Sequence, residues 1–272
     1  MSGKTNSSPN PSDVSSQPPR GTVPVHFVSL HHNASQDVDG DVVEEELVCI
    51  NVNTQELATM MCSPTDLDKL ALGFLYNEQL IQRTEDVQHL HVSEANCVEI
   101  WLTDPDFRPP ERRIITAGCG GGVTFDDLSR NYPPLTADIR ATPTQLANLM
   151  RKLHQGAVMY QRARGIHTAA LAEGDELLIQ MEDVGRHNCI DKLAGAALQQ
   201  KLPTSGKILL SSGRISSEML NKARRLEIPL ICSRTSPTSL SVALAQAWNI
   251  TIVAYLRQDR MRVYTHPARI LT

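Results

Sequence analysis

Lys207-Ile208-Leu209-Leu210, Pro229-Leu230-Ile231-Cys232 and Ile250-Thr251-Ile252-Val253-Ala254-Tyr255-Leu256 are three short apolar runs, separated by stretches of helical length at 216–226 and 238–247. This alternation decides the fold. Strand, helix and strand in succession require crossover connections and a largely parallel sheet. Runs that are apolar throughout belong to a sheet covered on both faces. Upstream, strands at 168–171 and 177–181 flank the turn Glu173-Gly174-Asp175, and a helix follows over 187–200. Thr142-Pro143-Thr144-Gln145 offers a capping threonine, proline at the first helical position and glutamine three residues past the cap, so a helix runs from there to about His154. Further upstream are strands at 47–52, 56–61, 89–92 and 98–102. A helix over 63–78 has Leu67, Leu70, Ala71, Phe74 and Leu75 at helical spacing. The expected architecture is a three-layer α/β/α domain over 111–272 behind a small α/β domain over 21–110. Residues 1–20, rich in Ser, Pro and Asn, form a tail too polar to order itself by burial.

The 272 residues are 41% hydrophobic and 21% charged, enough apolar content for a substantial core. No apolar run reaches the length of a membrane span, and the first residues lack a secretory layout, so a cytosolic protein with no membrane partner is expected. Aromatics at 4% argue against a base-stacking platform and against nucleic acid as partner. None of the six cysteines forms a C-x-x-C pair, which excludes a zinc knuckle; in the cytosol six free thiols are the default. The net charge of −4 conceals an asymmetry: from Gly206 onward ten Lys/Arg face three Asp/Glu, +7 against −11 elsewhere. An anionic ligand for the C-terminal third follows naturally, although solvated helix faces also carry such charge.

Ligands of open α/β sheets bind beyond the carboxyl ends of the strands. Here those exits read Ser211-Ser212-Gly213-Arg214, Ser233-Arg234-Thr235-Ser236-Pro237-Thr238 and Leu256-Arg257-Gln258-Asp259-Arg260. The first two precede helices, whose free N–H groups suit phosphate; ordinary turn chemistry also places Ser, Gly and Pro there. A second candidate is Gly118-Cys119-Gly120-Gly121-Gly122, where backbone amides can gather round a thiolate and glycine lets the sulfur swing between partners. A third is Glu182-Asp183-Val184-Gly185-Arg186-His187-Asn188. Asp183 and His187 there are either an acid–base pair or a capping carboxylate and a core histidine, and both readings stand. His167 is followed by Thr168 and Ala169. The H-x-E and P-C-x-x-C of zinc deaminases are both missing, and deamination is excluded.

Taken together, Ala71-Leu72-Gly73-Phe74-Leu75, the cysteine–glycine loop, Glu182 through Lys192, Ser212-Gly213-Arg214, Ser236-Pro237-Thr238-Ser239-Leu240 and Val263-Tyr264-Thr265 resemble the formate dehydrogenase accessory sulfurtransferases, the FdhD family, from about Glu45 to the end. The resemblance implies a cytidine-deaminase-like larger domain and a homodimer. It implies sulfur taken as a persulfide from a cysteine desulfurase and passed to the bis(molybdopterin guanine dinucleotide) cofactor of formate dehydrogenase. It makes Cys119 the persulfide carrier, and Tyr255, Leu256, Arg257, Gln258, Asp259 and Arg260 the cofactor-binding stretch. Many members carry a second loop cysteine where this chain has Gly122, so a two-cysteine exchange within the loop is closed to it. The alternatives are a cofactor-binding chaperone without catalysis, and a nucleotide-processing enzyme using Asp183 and His187.

Overall fold

The computed structural model describes residues 21–110, 114–115, 123–124, 132–258 and 260–272. The expected tail over 1–20 and the loop of Cys119 lie outside the described residues. The chain opens with a hairpin, β1 (Thr22–His31) and β2 (Ala34–Val43), then β3 (Glu46–Val52), β4 (Gln55–Cys62), α1 (Leu67–Asn77), β5 (Val87–Val92) and β6 (Cys97–Leu102). Two short strands follow, β7 (Ile114–Ile115) and β8 (Val123–Thr124), then α2 (Pro143–Gly156) and α3 (Val158–Ala163). The remainder is β9 (His167–Glu173), β10 (Glu176–Asp183), α4 (Arg186–Gln199), β11 (Ile208–Ser211), α5 (Ser217–Arg225), β12 (Leu230–Ser233), α6 (Ser239–Ala247), β13 (Thr251–Ala254) and β14 (Arg262–Val263).

The larger sheet has six strands in the order β10-β9-β11-β12-β13-β14. Its strands alternate sides as the two-residue period requires. Leu209, Ile231 and Ile252 join α4, α5 and Trp248 on one face. Ile208, Leu210, Leu230 and Val253 meet Leu146, Leu149 and Leu153 of α2 on the other. The three layers therefore form, with α2 held at its start by the expected reciprocal cap between Thr142 and Gln145. The sheet is mixed rather than largely parallel. β11, β12 and β13 run parallel, whereas β10–β9, β9–β11 and β13–β14 are antiparallel. Tight turns cause the difference. Gly174, at φ 54°, folds β9 back as β10, and the Arg257–Arg260 turn returns the chain as β14.

A four-stranded sheet, β4-β3-β6-β5, packs Val48, Ile50, Val52, Val98 and Ile100 against Leu70, Phe74 and Leu75 of α1. Helix α1 in turn lies directly on α4. A Cβ on Gly73 would stand 1.7 Å from the Asp191 carbonyl oxygen and one on Gly195 1.9 Å from that of Lys69, so only glycine permits the crossing. The hairpin β1–β2 and helix α3 have no counterpart in the sequence reading. β1 is rich in β-branched residues, but most of it is exposed, so no buried stripe advertises it. The cysteines also depart from expectation: Cys49 and Cys97, register partners on parallel β3 and β6 with Cα atoms 4.6 Å apart, form a disulfide. Cys62, Cys189 and Cys232 are free and buried. Among the described residues no helix is long and apolar enough to cross a membrane.

Candidate functional site

The carboxyl ends of β11, β12 and β13 open onto a crevice made of two adjoining cavities. The inner, of about 260 Å³, is lined by Leu153, Tyr160, Ile166, His167, Thr168, Ser212 and Thr235, and by the shared Met150, His154, Arg234 and Arg257. The outer, of about 330 Å³, adds Arg151, Leu256, Gln258 and Arg260. Because β9 runs antiparallel to β11, its opening residues His167 and Thr168 stand at the carboxyl end of β11. The Ser212 hydroxyl oxygen accepts from the Thr168 amide at 2.9 Å and lies 3.2 Å from His167 Nδ1. Ser233 Oγ donates to the Gly213 carbonyl at 2.6 Å, tying the first two strand exits together. The third is tied to the second, because the Arg257 guanidinium donates to the Arg234 carbonyl at 2.7 Å. Gly213 is obligatory: a Cβ there would lie 2.9 Å from Cβ of Arg186 and 3.3 Å from His167 Nδ1.

Electrostatically the crevice is one-sided. Arg151, Arg234, Arg257 and Arg260 line it, and no carboxylate does among the described residues. Burial, with Arg186 alongside, holds His167 below the ordinary histidine pKa, so the inner end presents a neutral imidazole. A ligand with an anionic portion and an uncharged heterocycle matches this division: charge at the guanidinium mouth, the ring system against Met150, Leu153 and Ile166.

Of the six residues in the expected binding stretch, Leu256, Arg257, Gln258 and Arg260 line the crevice. Tyr255 does not. It adopts φ 51°, and its ring packs against the Arg262 guanidinium 4.5 Å from the centroid. Asp259 lies outside the described residues, as does Cys119. Arg214 is exposed and apart from the lining. Nor do the starts of α5 and α6 contribute, because Ser216 and Thr238 fill their own caps. Sequence reasoning missed the wall opposite the strand ends: Met150, Arg151 and His154 of α2, and Tyr160 of α3. The spacing of Met150 and His154 on one helical face was the available signal.

Asp183 and His187 do not act on each other. The Asp183 carboxylate, fully buried, accepts from the Gly185 amide and Asn188 Nδ2 on one oxygen, each at 2.8 Å. Its other oxygen takes the Ser63 amide at 3.2 Å and the Lys192 ammonium at 2.7 Å. Lys192 also donates to the Ser63 carbonyl and to Thr65 Oγ1, and Asn188 donates to the Met61 carbonyl. The segment thus clamps 61–65 of the smaller sheet's connection to α4. His187 instead sits between Glu218, 3.2 Å from Nδ1, and Ser216, 3.2 Å from Nε2. Glu218 favours the cation, but burial and the nearby Lys222, Arg186, His167 and Arg214 outweigh it and push the imidazole down to about 2. Burial pulls Lys222 down, yet Asp191 and Glu218 hold it at about 12. Asn77 Nδ2 completes that cluster with a 2.7 Å bond to Asp191. These are structural polar networks: His187 is the buried, hydrogen-bonded histidine of the second reading, whereas Asp183 does not cap α4, whose N-cap Gly185 has no side-chain cap bond, and instead ties Gly185 and Asn188 to 61–65.

The fold and crevice define a mixed α/β protein with an arginine-lined crevice at the ends of its parallel strands. The family model described as FdhD/NarQ matches residues 43–271, and the chain belongs to the FdhD/NarQ family. It is 36% identical over 242 residues to the sulfur carrier protein FdhD of Staphylococcus haemolyticus, covering 86% of this chain and 91% of that one. To the protein of the same name in Staphylococcus aureus strain MRSA252 it is 34% identical over 235 residues, covering 84% and 89%. Among solved structures, a protein described as a formate dehydrogenase accessory protein from Desulfotalea psychrophila superposes with a TM-score of 0.75 at 26% identity, covering 92% of this chain and 99% of that one.

Proposed function

We propose that this chain is a cytoplasmic sulfurtransferase serving formate dehydrogenase. It takes sulfur from a cysteine desulfurase as a persulfide on Cys119 and passes it to a bis(molybdopterin guanine dinucleotide) cofactor held in the crevice of a homodimer. The observation carrying this reading is the arginine-lined crevice, free of carboxylates among the described residues, in a chain of the FdhD/NarQ family. Its guanidinium mouth suits pyrophosphate and its neutral inner end suits a heterocycle. The relatives' names, sulfur carrier and formate dehydrogenase accessory protein, support both the cargo and the client.

In this reading the Cys119 thiolate attacks the outer sulfur of the donor's persulfide. A new S–S bond forms on Cys119 as the donor's bond breaks and its cysteine leaves as thiolate. The acceptor cofactor, bound with its metal reduced, would supply the two electrons that break the Cys119 S–S bond, so that the outer sulfur leaves as sulfide and Cys119 returns to thiolate. Arg234 and Arg257 hold the phosphates, assisted by Arg151, Gln258 and Arg260. Gly122 makes this a single-cysteine relay. The reading keeps a domain division near residue 110 and a cytidine-deaminase-like fold for the larger domain.

Intact-protein mass spectrometry after incubation with a cysteine desulfurase and cysteine tests the relay. The wild type is expected to gain reductant-labile sulfur and Cys119→Ala to gain none. Equal gain by both, or gain by neither, would replace the relay with a cofactor-binding chaperone.

A further inference from the structure

Three of the five described cysteines have no route to chemistry. Cys62 is buried and, chiefly by burial, its thiol is pushed up to about 12; burial raises Cys189 and Cys232 as well. A thiol that does not ionise neither exchanges nor oxidises readily. Cys49 and Cys97 are different. Along β3, Val48, Ile50 and Val52 point into the core with α1, and along β6 Val98 and Ile100 do the same. The two-residue period therefore turns Cys49 and Cys97 to the opposite face, together with Asn51 and Glu99, which are hydrogen-bonded at 2.7 Å. Both cysteines are only half-buried. They stand directly opposite in the parallel register and are joined.

We infer that Cys49 and Cys97 form a reversible thiol–disulfide site, exchanging with thiol reductants from the open face of the smaller sheet. A thiolate attacks one sulfur, giving a mixed disulfide and freeing the other cysteine. A second thiol resolves it: the protein disulfide and two RSH become two protein thiols and RSSR, with two electrons and two protons moving to the protein. Parallel register holds the reduced cysteines side by side, with Cα atoms 4.6 Å apart, so reoxidation needs no rearrangement of the strands. The bond clamps β3 to β6, and β3 leads through β4 into residues 61–65, the segment gripped by Asp183, Asn188 and Lys192. The redox state of the pair thereby sets the firmness of the wall on which α4 is anchored. Nothing in this rests on the sulfur relay.

The test equilibrates the full-length native protein across reduced-to-oxidised glutathione ratios, quenches with acid, and alkylates in denaturant before intact-mass and peptide analysis. With six cysteines in the chain and two in the bond, four adducts are expected at the oxidising end and six at the reducing end, the two new ones mapping to Cys49 and Cys97. The thermal midpoint should fall by roughly 5–15 °C between those ends. A Cys49→Ser/Cys97→Ser variant should show four adducts and an unmoved midpoint throughout. Six adducts at every ratio, a Cys49–Cys97 cross-link that survives the reducing end, or an equal midpoint shift in the variant would each overturn the inference. The wild-type measurement stands even if the variant fails to fold.

Discussion

Replacing Lys192 with methionine isolates the work of the buried clamp. The ammonium lies 2.7 Å from Asp183, and both side chains are wholly inaccessible to solvent. It also satisfies the Ser63 carbonyl, Thr65 Oγ1 and the Glu182 carbonyl at 3.2, 3.3 and 3.4 Å. Methionine fills most of the volume but leaves the carboxylate without its counter-ion and takes one donor from each of three oxygens, of which the Ser63 carbonyl keeps the Thr65 amide at 2.7 Å. Breaking one half of a buried pair typically costs about 3–5 kcal/mol. Asp183 retains three neutral donors, from Ser63, Gly185 and Asn188, which place the expected loss near the middle, at about 4 kcal/mol or a thousandfold in the folding equilibrium. Asp183→Asn should cost a similar amount, and the double variant clearly less than the sum, because neither charge is then stranded. Urea unfolding followed by circular dichroism measures all three. A Lys192→Met loss below about 1 kcal/mol, or strict additivity in the cycle, would refute the view that this pair holds 61–65 against α4.

At the helix crossing, Gly195→Ala must drive α1 from α4 and should cost about 3 kcal/mol or more despite alanine's better helix propensity, whereas Gly174→Ala, in open space at φ 54°, should cost about 1 kcal/mol; paired denaturation curves decide the order. His187 is neutral when folded, with its pKa pushed down to about 2, so the unfolded chain binds the extra proton below its ordinary value near 6.5. Its contribution is therefore complete above about pH 6.5 and is lost as pH falls toward 2, at up to about 1.4 kcal/mol per unit, and a His187→Gln variant should show a shallower acid slope in melts from pH 7 to 4. In the crevice, Arg234→Gln/Arg257→Gln should weaken guanosine diphosphate binding by roughly 10- to 100-fold and flatten its salt dependence in calorimetry, leaving the melting curve nearly unchanged.

The strand–helix alternation after residue 206 was readable because β11, β12 and β13 are buried on both faces and α5 and α6 begin at side-chain caps, both local properties of the sequence. Strand direction was not local. β9 and β14 oppose their neighbours because of turns at Gly174 and Arg257–Arg260, and apolar runs carry no sign of direction. The hairpin β1–β2 escaped for the converse reason: its pairing is real but most of it is exposed, so no periodic burial marked it. The crevice was half legible. Strand exits Ser212, Arg234, Arg257 and Arg260 announced themselves by position, while Arg151, His154 and Tyr160 arrive from α2 and α3 only through packing. Tyr255 shows the limit of reading a contiguous stretch as a site, since its positive φ turns the chain at the very point where the crevice begins.

Asp183 and His187 left catalysis and architecture equally open in the sequence and prove to be architecture, and this bears on how the crevice keeps its shape. His167 and Ser212 line the inner end, and directly behind the adjoining Gly213 stands Arg186, the first residue of α4. The start of α4 is fixed by Asp183, which binds Gly185 and Asn188, and its middle by Gly195 against α1. The smaller sheet thus reaches the ligand site through one rigid helix, without contributing a side chain to the crevice lining. A loosened clamp should consequently let Arg186 withdraw from Gly213 before the arginines at the mouth move. Ligand affinity in Lys192→Met, measured well below its unfolding transition, should then fall through the heterocycle end rather than the phosphate end. Inorganic pyrophosphate should bind such a variant as it binds the wild type, while guanosine diphosphate binds it less tightly.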